Sequence, residues 1–158
     1  MHIRGLATLL VLTVTATLAA ATGVSAAAER KACKLLKPAA IEKVLGAPAA
    51  RSDTEGTQVA GAESCGYDVA PGLGEPGGAL VVVSYFSGPV ASGVGADIKT
   101  RAEAISHGAV WDPLVEAAYV IKSKRVVGVS VTYTSSDPPA EELKPEMAKL
   151  AKAAFKRS

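Results

Sequence analysis

Apolar residues recur along the chain with two different spacings, and the changes between them divide it into elements. Ile41, Val44 and Leu45 share one face at helical spacing; Pro38 suits the first helical position, and Gly46 followed by Pro48 stops the helix. Residues 49–63 are polar and glycine-containing and read as a loop. Ser64–Ala70 alternates, with Cys65, Tyr67 and Val69 on one side and Gly66 and Asp68 on the other, which is the period-two mark of a half-buried strand. The loop PGLGEPGG follows, and then ALVVVSYF, residues 79–86, forms a nearly continuous apolar run expected of a central strand.

The second half repeats the alternation of periods. Between Pro89 and His107, Val94, Ile98, Ala102 and Ile105 keep helical spacing and Gly108 supplies the stop, although Gly93 and Gly95 weaken the first turn. The linker HGAVWDP leads to a strand over Val115–Lys122, and Ser123-Lys124 makes a two-residue hairpin turn into RVVGVSVTYT. There Val127, Val129, Val131 and Tyr133 face one side and Gly128, Ser130 and Thr132 the other. Leu143, Met147, Leu150, Ala154 and Phe155 form the stripe of a last helix, with Pro145 as its first residue and Asp137-Pro138-Pro139 starting a preceding turn. The predicted order is αββαββα. It gives an α+β two-layer domain, an antiparallel sheet of about four strands in two hairpins with helices on one face. The order suggests two copies of an αββ unit plus a closing helix, with no residue-level repeat behind it.

One apolar stretch belongs to neither period. After Arg4, the run LATLLVLTVTATLAAA extends from Leu6 to Ala21 and closes on Val24-Ser25-Ala26, with small residues where a signal peptidase cleaves. Residues 1–26 are therefore expected to be a Sec-type signal peptide and residues 27–158 a single secreted domain. The run is too short and too rich in Thr and Ala for a membrane span, and Arg30-Lys31-Ala32 before Cys33 do not form a lipobox. Export makes Cys33 and Cys65 a disulfide pair, because two cysteines in an oxidising compartment normally join. Closing that loop stabilises by roughly 3–4 kcal/mol in the chain-entropy treatment. No Cys-x-x-Cys redox pair is present.

Charge excludes one class of partner. Removing Arg4 takes the 17 basic residues to 16, against 15 acidic ones, and they are scattered. Only Lys122, Lys124 and Arg125 cluster, across a turn, so the expectation is no nucleic-acid partner.

Candidate chemistry is sparse. Gly72-Leu73-Gly74-Glu75-Pro76-Gly77 matches G-x-G-x-x-G, but a strand follows where phosphate binding needs a helix N-terminus, so it reads as a hairpin loop. His107 is the one histidine of the mature chain, which leaves too few ligands for zinc; no metal and no cofactor are expected. A hydrolytic set could draw only on Ser106, His107 and Asp112 or Glu116. Adjacent Ser106 and His107 would diverge by about 100° on a helix, so another serine such as Ser84 or Ser130 would have to approach in space. Glu141-Glu142 suit a helix start. His107, Trp111, Asp112 and Glu116 form the one crowding of an aromatic, a histidine and two acids, a mixture that sugar sites use, and are the candidate binding residues.

Cys33-Lys34-Leu35-Leu36, the Pro-started helix ending IEKVLG, Cys65-Gly66-Tyr67 on a strand, EAAYV, a hairpin and an Ala/Lys C-terminal helix together resemble a known type. The chain is similar to the small exported proteins and lipoproteins of actinobacterial envelopes that share a domain of unknown function, over most of residues 33–156. The lipobox cysteine typical of members is missing, and Asp112-Pro113-Leu114-Val115-Glu116 stands where members often carry a Gly-Asp segment. The resemblance implies a paired-cysteine α+β domain and no enzyme activity. The resulting expectation is a secreted, monomeric, non-catalytic binding domain that contacts an envelope component or another protein. Its rivals are a secreted hydrolase assembled around His107, and an inhibitor of a secreted enzyme presenting the loop 70–78.

Overall fold

A computed structural model describes residues 30–52, 61–72, 74–135 and 138–158. The expected signal peptide, residues 1–26, and Asp137 of the expected turn lie outside the described residues. The described chain forms α1 (Lys31–Leu35), α2 (Pro38–Leu45), β1 (Ala49–Arg51), β2 (Glu63–Val69), β3 (Ala79–Ser87), α3 (Gly88–Arg101), β4 (Glu103–Ala104), β5 (Val110–Asp112), β6 (Ala117–Lys122), β7 (Arg125–Tyr133) and α4 (Lys144–Phe155). Short 3-10 turns occupy Ser106–Gly108 and Ala140–Leu143.

All strands join one antiparallel sheet in the order β1-β2-β3-β7-β6-β5-β4. The α+β class and the antiparallel sheet agree with the sequence pattern; the strand count does not, since the described residues form seven strands where the pattern predicts about four. The additional strands are β1, β4 and β5, of three, two and three residues. None is long enough to show alternation, and β1 and β5 fall in segments that read as loop and linker. The αββαββα order fails for the same reason, and because α1 precedes α2 as a separate helix. The helix expected to reach His107 ends at Arg101, where Ala102 turns extended to feed β4.

Sheet alternation places two apolar sets on opposite faces. On the first face Cys65, Tyr67, Val81, Val83, Trp111, Ala118, Val120, Val127, Val129 and Val131 meet Leu35, Ile41, Met147, Leu150 and Phe155 from α1, α2 and α4. On the second face Phe86, Ala117, Tyr119 and Val126 meet Ala91 and Ile98 of α3. Helices therefore lie on both faces, which corrects the two-layer expectation; on the second face α3 packs on Phe86 of β3 and leaves Leu80 and Val82 half-buried. Gly95 allows the close approach of α3, since a Cβ there would lie 3.0 Å from Ile121 Cγ2.

Cys33 of α1 is bonded to Cys65 of β2, so the disulfide fixes the first helix to the sheet. Tyr67 reinforces it: its hydroxyl donates to the Leu36 carbonyl at 2.6 Å, satisfying an acceptor left over at the helix end. Gly46, in the left-handed region at φ 73°, caps α2 as the sequence foretells, donating its N–H to the Glu42 carbonyl.

Candidate functional site

The single helix on the second face does not cover the whole sheet. Beyond it lies a groove of about 310 Å³, floored by β3, β6 and β7 and walled by the turn between β5 and β6. Leu80 and Val82 supply apolar floor, Ser84, Ser130 and Thr132 supply hydroxyls, and Glu116 stands at the wall. Val115 in the same wall is 49 % exposed and its neighbour Leu114 75 %. Gly128 is required where it is: a Cβ there would lie 2.4 Å from Tyr119 Cε1, so the glycine lets the phenol ring lie against β7 and line the groove.

The groove wall is positioned by an ion pair whose carboxylate is buried and whose guanidinium is half-buried. Asp112, at the end of β5, is fully enclosed, and Arg101 at the end of α3 grips it, with Nε 3.1 and 3.0 Å from the two carboxylate oxygens and Nη2 2.8 Å from Oδ2. The Leu114 N–H also donates to Asp112 Oδ1 at 3.0 Å. One carboxylate thus ties α3 to β5 and sets the start of the turn that presents Glu116, itself in the left-handed region at φ 48°. Donation to Asp112, with help from Asp97, raises the Arg101 guanidinium further above its ordinary value. Burial first, and the Asp112 charge second, push the Tyr119 phenol up to about 12.

The four residues singled out by the sequence do not meet on one surface. Trp111 is fully buried on the first face, its Nε1 without an acceptor among the described residues and its ring 5.1 Å from Lys144 Nζ. Asp112, next along the strand, points to the second face and is consumed by Arg101. Glu116 lines the groove, whereas His107 lies exposed in the Ser106–Gly108 turn against α4 on the first face. Strand alternation explains the split, because neighbouring residues of β5 cannot share a face. Ser84 and Ser130, the serines considered as partners of His107, line the second face and have the sheet between them and the imidazole.

Of the groove residues of β3 and β7, the sequence singles out Ser84 and Ser130, and those only as partners for His107. The signal was the polar face of β7, Gly128, Ser130 and Thr132, set opposite an apolar β3. The loop 70–78 is exposed at Glu75, Pro76 and Gly77, and the Gly74 N–H donates to Thr134 Oγ1 at 2.8 Å. No group of three or more His, Cys, Asp or Glu suited to a metal occurs among the described residues. Nor is any helix among them long and apolar enough to cross a membrane. Comparison with family models, curated proteins and solved structures finds no match to this chain.

Proposed function

We propose that this chain is an exported, non-catalytic binding domain of a bacterial cell envelope, and that its ligand occupies the groove on the second sheet face. The observation that carries the reading is the groove itself: a concave, partly apolar floor with convergent hydroxyls and one carboxylate, which is how small-molecule sites are built. Export is supported by the N-terminal apolar run with its small-residue ending and by the Cys33–Cys65 disulfide, and the envelope by the resemblance of the cysteine-bearing segments. The chemistry favours an uncharged or cationic molecule with hydroxyls on one side and an apolar surface on the other. An anion would meet Glu116.

Native mass spectrometry of the protein taken from its own envelope fraction, without reductant, tests the reading. The expected result is a mass fixing cleavage after Ala26, two hydrogens missing at the cysteines, and a co-purifying small molecule. That molecule should be lost in Val82→Arg, which fills the floor, with the disulfide intact. A wild-type protein that carries nothing and binds none of a panel of saccharides and amphiphiles overturns the groove as the site. The inhibitor reading retains one favourable observation, the exposed loop 70–78 tied down at Gly74. Retained inhibition of a target enzyme after that loop is shortened removes it.

A further inference from the structure

Several cations of the described chain pair with carboxylates. Arg101 pairs with Asp97 and Asp112, Lys144 with Glu103 and Glu141, and Lys149 with Glu146. The C-terminal end of α4 is different. There, on the first face and away from the groove, a hollow of about 440 Å³ is bounded by Lys122 of β6, Lys152 of α4, Lys156 at the C-cap of α4, and His107 of the 3-10 turn. Val120 and Phe155 give it an apolar base, and no carboxylate of the described residues lines it. None of these four basic side chains has an ion pair with a carboxylate among the described residues. Lys152 and Lys156 are four apart on one helix face, a spacing at which like charges repel, and Lys122 is brought in from a strand to add to that repulsion. The last turn of a helix favours cations, which explains one lysine there more readily than three around one hollow.

The base of the hollow is held in place independently. Arg125 lies over the Phe155 ring at 4.9 Å and donates to the Ser158 carbonyl, and Lys122 Nζ lies 5.9 Å from the same ring. Arg125 is thereby committed to the fold, while the three lysines and the imidazole remain available to a ligand.

We propose that this hollow binds a phosphate-bearing ligand, with the phosphate among Lys122, Lys152, Lys156 and His107 and its carbon portion against Val120 and Phe155. Several point-charge donors around one space match a multiply charged tetrahedral anion better than a single carboxylate. The phosphate could belong to a soluble ester or to a lipid headgroup; the chemistry at the lysines is shared. The site is independent of the groove.

The test uses the disulfide-intact secreted chain with two probes. One is inorganic pyrophosphate followed by calorimetry. The other is flotation with phosphatidylcholine vesicles with and without phosphatidylglycerol. Loss of two charge-assisted contacts in Lys152→Gln/Lys156→Gln should weaken binding about tenfold or more. Lys34→Gln/Lys43→Gln, which removes the same charge from exposed positions of α1 and α2, should change it less than about twofold. Pyrophosphate binding with that dependence supports a soluble ester, and binding only to phosphatidylglycerol vesicles with the same dependence supports a headgroup. Binding of neither probe, or equal weakening by the two double variants, overturns the proposal. Unchanged circular dichroism and melting of both variants establish that folding is not what was altered.

Discussion

Tyr119 shows how much one side chain is asked to do. Its ring fills the space that Gly128 leaves open, and burial near Asp112 holds its phenol neutral up to about 12 against an ordinary 10.0. A group whose folded pKa exceeds its unfolded one keeps more protons when folded across that interval, so stability falls as pH rises from about 10 to about 12. The shift corresponds to about 2–3 kcal/mol over that window. Tyr119→Phe should remove this component, which is read by comparing urea midpoints of the two proteins at steps from pH 9 to 12. Parallel curves would refute it. The Arg101–Asp112 pair makes a second case. Arg101→Met leaves an enclosed carboxylate with no counter-charge, so the double variant Arg101→Met/Asp112→Leu should melt higher than the single one. Neither relationship was legible in the sequence. Asp112 stands out there as a candidate ligand contact because Trp111 precedes it and Glu116 follows four residues on. The arginine that captures it lies eleven residues back, across β4.

At the scale of elements, alternation and caps carried most of the information. β2, β3, β6 and β7 were readable because six or more residues in register leave a period, and the ends of α2 because Pro38 and Gly46 are local punctuation. β1, β4 and β5 were not, because two or three residues have no period, and pairing with a neighbour decides them. The end of α3 differs from the sequence reading because Ala102 and Ile105 continue a helical spacing by coincidence; Ala102 caps the helix on the Ile98 carbonyl and Ile105 closes the turn to Ala109. The disulfide is the element-scale link most open to test. Cys33→Ala/Cys65→Ala should cost roughly 3–4 kcal/mol. Hydrogen exchange should rise first in α1, which the Tyr67 hydroxyl and the Lys31 N–H to Glu63 would then tie to β2 without a covalent link. Exchange rising uniformly over all helices would show that the bond does not act locally.

The whole molecule is a sheet with two different exteriors. One carries α3 and a hydroxyl-lined groove with Glu116 at its wall; the other carries α1, α2 and α4 and a lysine-lined hollow. That division was invisible in the sequence. The groove needs β3, β6 and β7 side by side, and the hollow needs Lys122 brought to a helix thirty residues further on. Separation by a packed sheet predicts additivity. Val82→Arg should leave pyrophosphate affinity unchanged within about twofold, and Lys152→Gln/Lys156→Gln should leave the groove ligand bound. Coupling beyond that, measured in the combined variant, would mean that the two faces communicate.

The enclosure of Trp111 has a practical side. It is the chain's one tryptophan, shut off from water on the α4 face. Its fluorescence is therefore a built-in optical gauge of whether the domain is closed, emitting at short wavelength while folded and shifting to the red as the core admits solvent. The sheet stands between the indole and the groove, so the same gauge stays silent when the groove fills. Melting curves can be followed at Trp111 with a ligand present and read as folding alone.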